Sequence, residues 1–380
     1  MAGIMTLAMT TESGDPAGIA VIGTGAIAEA HLYAYQREQG RARLAAVADV
    51  DEGRARAAAA RYGVPDVYTD YCELLARDDV DAISICAPPF LHVQMSVDSL
   101  LAGKHVLCEK PVAPTLAELD RIEEAARKSG RVFSGVFQLR FGKGAQQLRI
   151  LLDEGRFGKL HLGVANTLWF RDDAYYDQVS WRGTWAQECG GVTVSQAIHL
   201  IDALVWFLGE PRSVFARAGS FRRNIDVDDT AVAVIQFEGG AIGQVTSTVS
   251  AAGPERSRLE IYGSELSAVS HGPVYDSTSE PFALSSTIAA DAQAIRQEVE
   301  ERVPRGFKLL HRGAIDDFLT AINTVCRPLA DVEACRNVLQ VTTAIYKSAM
   351  TGELVNLPIG RDDPFYSALP PAGYDLPSVA

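Results

Sequence analysis

A short apolar stretch, Gly18 to Ile22, runs straight into Gly23-Thr24-Gly25-Ala26-Ile27-Ala28 and then into residues of helical character, Ala26 to Gln39. Few folds accept such a junction. Two glycines let the backbone approach a bulky anion, and the N–H groups that open the following helix face it. The GxGxxA pattern alone is weak, because a chain this rich in glycine and alanine should contain one about once by composition. Its place between a strand and a helix is what constrains the fold, although an ordinary strand-to-helix turn has the same local shape. The alternation continues. Strands are expected at Leu44 to Ala48, Ala82 to Cys86, Val106 to Cys108 and Val132 to Leu139. Helices are expected at Glu52 to Tyr62, Tyr71 to Ala76, Leu91 to Leu101 and Leu116 to Ser129. Strands separated by helices imply parallel βαβ units and a doubly wound α/β sheet.

Near residue 140 the pattern changes. A helix, Gly144 to Glu154, leads into longer β-rich runs at Leu160 to Phe170, Ser213 to Phe221, Thr230 to Phe237, Ala241 to Val249 and Arg258 to Tyr262. Successive strands without crossover helices argue for a mostly antiparallel open sheet in an α+β domain. Helices are expected at Thr193 to Leu208, Ala314 to Asn323 and Ala334 to Met350, and a polar one at Ile288 to Glu301, over the site or at a subunit contact. With 380 residues the chain suits two domains. The division expected is a leader at 1–16, a dinucleotide-binding domain at 17–140, a substrate and oligomerisation domain at 141–365, and a tail at 366–380. The leader reads as disordered, without the basic start and apolar run of a secretory signal.

Net charge is −13, which disfavours nucleic acid or an anionic membrane as partner. Arg140, Lys143 and Arg149 read as a solvated helix face. No apolar run is long enough to span a bilayer. The six cysteines are scattered with no CxxC pair, so buried thiols in a reducing cytoplasm are expected rather than disulfides or a zinc site.

Asp49 ends the second strand a little over 20 residues past the glycine turn, where an acidic residue meets an adenosine ribose. A carboxylate there accepts from both ribose hydroxyls and repels a 2′-phosphate by a few kcal/mol at about 4 Å in an effective dielectric of about 20. The pattern favours NAD over NADP, with Arg54 or Arg56 softening the repulsion. A plain helix N-cap at Asp49 or Asp51 is the alternative. Gly23, Thr24, Gly25, Ala26 and Ile27 are the pyrophosphate turn of this reading. Pro88-Pro89 would shape the floor under the cofactor, with His92 opening a helix beside it.

The reacting groups are sought at two places. Glu109-Lys110-Pro111 follows the apolar Val106 to Cys108. The proline holds Lys110 extended, so its ammonium at a strand's carboxyl edge can polarise a substrate oxygen. Glu109 would hold the nicotinamide ribose or the lysine, although such a tripeptide is often only a surface turn. Farther on, Gly190-Gly191 precedes a helical pattern in which Ser195, His199, Asp202 and Trp206 share one face by spacing. A histidine suits proton exchange with an alcohol near neutrality, and Asp202 would orient its ring. Between them, Trp169-Phe170-Arg171 to Tyr175-Tyr176 and Trp181-Arg182-Gly183-Thr184-Trp185 offer aromatic faces and forked donors. Arg171, Tyr176, Arg182 and Trp185 are the residues expected to hold a sugar ring and an anionic group on it.

Taken in order, GTGAIA, AGKHVLCEKPVA, GGVTVSQAIHLIDALVWFLGEP and HRGAIDDFLTAI resemble the Gfo/Idh/MocA oxidoreductases over about residues 18 to 360. The resemblance implies a Rossmann domain, a second domain whose open sheet face serves in homo-oligomers, and Lys110 and His199 across the nicotinamide from each other. Many members carry an aspartate where this chain has Ser195, so proton transfer falls on His199 or Lys110. The segment YYDQVSWRGTWAQECGGV is similar to members acting on sugars or nucleotide sugars. The expectation is an NAD-dependent dehydrogenase of a sugar, cyclitol or sugar derivative. An NAD-retaining glycosidase that works by transient oxidation and a non-catalytic dinucleotide sensor are the other classes.

Overall fold

The structure is a computed structural model that describes residues 15–221, 225–270, 282–286, 291–303, 308–324 and 326–377. Most of the expected leader therefore lies outside the described residues, as does much of 271–309.

Six strands form a parallel sheet: β1 (Ala17–Ile22), β2 (Ala42–Ala48), β3 (Asp66–Tyr68), β4 (Ala82–Ile85), β5 (His105–Cys108) and β6 (Phe133–Gly135). Their order in space is β3-β2-β1-β4-β5-β6. The crossovers are α1 (Ala28–Gln36), α2 (Glu52–Tyr62), α3 (Cys72–Leu75), α4 (His92–Leu101) and α5 (Leu116–Ser129). The order reverses between β1 and β4, and at such a switch point a crevice opens beyond the strand ends. Side chains cap two of these helices. Asp51 caps α2 by accepting the Arg54 N–H, and Thr115 caps α5 by accepting that of Glu118. The sheet is apolar on both faces, as buried parallel strands must be: Ile19, Ala20, Val21, Ile83, Ile85, Val106 and Leu107 are essentially inaccessible.

After α6 (Lys143–Asp153), the chain builds a second sheet from β7 (Leu160–Leu168), β8 (Pro211–Gly219), β9 (Thr230–Phe237), β10 (Ile242–Thr248), β11 (Arg256–Gly263), β12 (Leu266–Val269), β13 (Ala283–Ser286) and β14 (Val355–Asn356). The order is β13-β12-β11-β7-β10-β9-β8-β14, antiparallel throughout except where β7 meets β10. Between β7 and β8 lie α7 (Asp173–Asp177), α8 (Trp185–Glu188), α9 (Val192–Ser195) and α10 (Ile198–Leu208). The remaining helices are α11 (Asp291–Arg302), α12 (His311–Thr324), α13 (Val332–Thr351) and α14 (Pro364–Ser367). Helices α10 and α13 cover one face of the sheet. On the other face Phe215, Val232, Val234 and Ile242 remain between 40% and 51% exposed, alternating with buried neighbours. No single described helix is long and apolar enough to cross a membrane.

Helix α12 packs back onto α1 of the first sheet. Ile315, Phe318 and Leu319 join the core around Ile19, Ala34, Tyr35 and Leu107. Charges reinforce the junction: Arg41 pairs with Asp316, and Lys308 reaches Glu38 at 2.6 Å.

Three expectations need correction, and a fourth needs it in part. The helix expected at 193–208 is two helices, because Gln196 leaves helical geometry at φ −120°, ψ −53°, and segments Trp185–Ser195 and Ile198–Leu208 meet at 56°. The strand expected at 132–139 stops at Gly135, and a 3₁₀ turn, Gln138–Phe141, follows. That turn carries Arg140 into the interior, so it is no part of a solvated face. Helix α11 packs on α6 and β13 through Arg302–Glu154 and Lys143–Glu300 pairs, away from the cleft.

Candidate active site

A cleft of about 720 Å³ lies where the carboxyl ends of β1, β2, β4 and β5 face α8, α9 and the start of α10. Of the expected residues it gathers Gly23, Gly25, Ala26, Ile27, Asp49, Pro88, His92, Glu109, Lys110, Arg171, Arg182, Ser195 and His199.

Its dinucleotide end is built on the glycine turn. Gly23 adopts φ +86°, and a Cβ there would sit 2.6 Å from the Cys86 carbonyl oxygen, so a side chain is excluded. A Cβ on Gly25 would meet nothing within 4 Å. The turn thus presents bare backbone to the cleft, the cradle a pyrophosphate requires. Asp49 anchors it. One carboxylate oxygen accepts from the Thr24 N–H at 2.8 Å and its hydroxyl at 2.9 Å, and the other takes Asp51 N–H and Arg54. Asp51, not Asp49, caps the helix. Burial pushes the Asp49 carboxyl up, but Arg54, Thr24 and Asp51 together hold it below the ordinary aspartate value. Thr24 contributes by fixing Asp49 and lies outside the main cleft. These residues fit NAD.

His92 is a correction of detail. It lines the cleft, but both ring nitrogens face backbone carbonyls, Pro111 at 2.8 Å and Ala87 at 2.7 Å. It ties the β4 and β5 ends together and has no ring nitrogen left for a cofactor.

Glu109 turns inward as well. Its Oε1 meets His31 Nε2 at 2.9 Å and His311 Nε2 at 3.6 Å, while Oε2 accepts the Lys110 N–H. Burial opposes its charge, yet the two imidazoles hold its carboxyl well below the usual range. Lys110 extends from the same strand end across a cis peptide to Pro111, and its ammonium donates to the Ser195 carbonyl oxygen. That carbonyl is available because the α9–α10 break removes the helical N–H it would otherwise accept. Burial lowers the Lys110 pKa, with Glu109 and Glu188 acting against the shift. His199 lies on the first turn of α10, 3.4 Å from Gln138 Nε2. Burial and then the Lys110 charge hold its ring well below the ordinary histidine value, so it is neutral near pH 7.

The far wall is aromatic and cationic. The Arg182 guanidinium stacks on Tyr175 at 3.9 Å and that of Arg171 stands 5.3 Å from the same ring. The Tyr175 hydroxyl accepts from Gln196 at 3.1 Å. The sequence singled out Tyr176, but Tyr175 faces the cleft and Tyr176 packs edge-on behind it. Trp185 packs edge-on against Tyr346, outside the cleft lining. Asp202 is fully buried and grips Arg140, with contacts of 2.6 to 3.2 Å. It neither touches substrate space nor orients His199. Gln138, Glu188, Gln196 and His311 line the cleft without having been read from the sequence.

Residues 17–137 match the family described as "Oxidoreductase family, NAD-binding Rossmann fold", and residues 145–269 match the "GFO/IDH/MocA C-terminal domain". Inositol 2-dehydrogenase 2 of Saccharopolyspora erythraea is 32% identical over 78% of this chain and 87% of its own length. D-glucoside 3-dehydrogenase of Escherichia coli is 26% identical over 93% of this chain and all of its own. Among solved structures, the WlbA dehydrogenase of Bordetella pertussis, in complex with NADH and UDP-GlcNAcA, superposes with a TM-score of 0.78 at 27% identity. The match covers 91% of this chain and 100% of that one.

Proposed function

The chain belongs to the GFO/IDH/MocA oxidoreductase family, and we propose that it is an NAD-dependent dehydrogenase of a secondary alcohol on a sugar, cyclitol or sugar derivative. The observation that carries this reading is one cleft lined by the bare glycine turn, by Lys110 and by His199. Dehydrogenases of inositol and of glucosides among the relatives support the substrate class.

NAD, when bound, would supply the hydride acceptor. The residues do the rest. His199, neutral in its buried setting, takes the hydroxyl proton. Lys110 donates to the same oxygen and stabilises the charge that develops there. Its ammonium is held by the Ser195 carbonyl, so little reorganisation is needed when the substrate arrives. Arg171 and Arg182, flanking Tyr175, suit a ring that carries a carboxylate or phosphate. Asp49 favours NAD over NADP. The exposed row Phe215, Val232, Val234 and Ile242 is the face by which copies of the chain associate.

The test is a panel of sugars, cyclitols, uronic acids and glycosides with NAD or NADP, following reduced nicotinamide and products in parallel. NADH formation on a free polyol or uronic acid is the expected result. Hydrolysis of a glycoside without net NADH, or tight NAD binding with no turnover, would refute the reading.

A further inference from the structure

Oxidising an alcohol leaves a proton in the cleft, and the two groups nearest the reaction hold it poorly. His199 is kept neutral by burial and by Lys110. Lys110 already directs its ammonium at the Ser195 carbonyl. Ser195 offers no carboxylate, and its hydroxyl is spent on the Gly191 carbonyl at 2.7 Å and on Gln196.

Glu188 answers this need. It is the last residue of α8, directly before the left-handed Cys189, and it lines the cleft while only 3% exposed. Its Oε2 accepts the Gly183 N–H at 2.5 Å, and Oε1 takes no hydrogen bond from the described residues. The charges facing it are Arg182, Lys110 and Asp228, and its titratable neighbours are Tyr175 and Cys189. The turn Pro89–Leu91, against which α8 packs, brings no ionisable group. No hydrogen bond neutralises it as Arg140 neutralises Asp202.

We propose that Glu188 is a proton-holding residue of this cleft, storing the proton that the substrate hydroxyl releases. The inference rests on the dehydrogenase reading. In the oxidative direction the C–H electron pair leaves with the hydride to the bound dinucleotide, and the O–H bond breaks towards His199. From His199 the proton moves on through the cleft to a Glu188 oxygen. Lys110 keeps its protons throughout. The net change is alcohol to ketone and Glu188 carboxylate to carboxylic acid, and the acid then releases its proton to water. Burial raises the Glu188 carboxyl to about 7, against the pull of the Gly183 N–H, Arg182 and Lys110, so it takes up and returns a proton near neutrality.

The experiment compares full-length wild type with Glu188→Gln and Glu188→Asp. In infrared difference titration without substrate, wild type should lose a carboxylic-acid band near pH 7 that is missing in Glu188→Gln. In kcat/KM, wild type should rise through about pH 7. Glu188→Gln should lose that limb and fall about 10²-fold in kcat, with NAD affinity within twofold, and Glu188→Asp should restore the limb. Wild-type turnover combined with an unchanged limb in Glu188→Gln would overturn the assignment of Glu188 alone. A wild type that binds NAD but oxidises no alcohol would refute the dehydrogenase reading and this assignment with it.

Discussion

At the scale of single residues, function divides between groups that face the cleft and groups that hold those in place. His199→Ala and Lys110→Ala should each lower kcat by about 10²- to 10⁴-fold while NAD affinity by calorimetry changes less than about threefold. Asp49→Ser removes the carboxylate that anchors Thr24 and that is proposed to meet the ribose. It should cut the preference for NAD over NADP by at least about tenfold, read from the two dissociation constants. Asp202→Asn should instead cost about 3 kcal/mol in denaturant unfolding, because it leaves the buried Arg140 charge without its partner. Lys110, Asp49 and the glycine turn, all of which line the cleft, could be read from the sequence because each sits at a strand end, where backbone geometry narrows what a side chain can do, whereas His199 was read from helical spacing. The sequence hid Asp202, since helical spacing says which face a residue occupies but not that an arginine 62 residues away has claimed it. Glu188 was not read from the sequence, where its one signal is an acidic residue two positions before a glycine pair in an aromatic segment. Only the fold reveals that it is enclosed.

At the scale of elements, the break between α9 and α10 matters most. A 3.6-residue pattern running from Thr193 to Leu208 looks the same whether or not the helix bends, so periodicity could not show it. Yet the bend is what frees the Ser195 carbonyl for Lys110. A second junction, the turn from β1 to α1, tolerates no side chain at Gly23. Gly23→Ala should lower stability by about 2–4 kcal/mol and weaken NAD binding at least about tenfold, measured by unfolding and by calorimetry on the same preparation. Tyr175 and Tyr176 show the same limit of one-dimensional reading. Adjacent residues within a short helix point in different directions, and the packing of Arg182 on one of them tells which faces the cleft.

At the scale of the whole molecule, α12 clasps the dinucleotide sheet although it follows all but the last strand of the second sheet in sequence, and it brings His311 to Glu109. The strand alternation announced both sheets. It did not announce this return, which depends on contacts distant along the chain. Buried carboxyls give the fold a pH signature. Glu188 and Asp317 are each raised by burial to about 7, from 4.5 and 3.8. The folded state holds these protons more tightly than the unfolded one. Each therefore costs nothing at low pH and removes stability as pH climbs from about 4 to 7. A Glu188→Gln/Asp317→Asn variant should match wild type in unfolding free energy near pH 4 and exceed it by several kcal/mol, of order 3 for each site, at pH 8. Val234→Asp on the open sheet face should shift the molecular mass in light scattering towards the monomer without changing the far-ultraviolet circular dichroism. The central claim, net hydride transfer from a substrate carbon to nicotinamide, is tested most directly by deuterium. With the substrate from the panel labelled at its carbinol carbon, mass spectrometry should find the label on the reduced dinucleotide, accumulating in step with the ketone. Label returned to the product, or lost to water with no reduced dinucleotide accumulating, would contradict it.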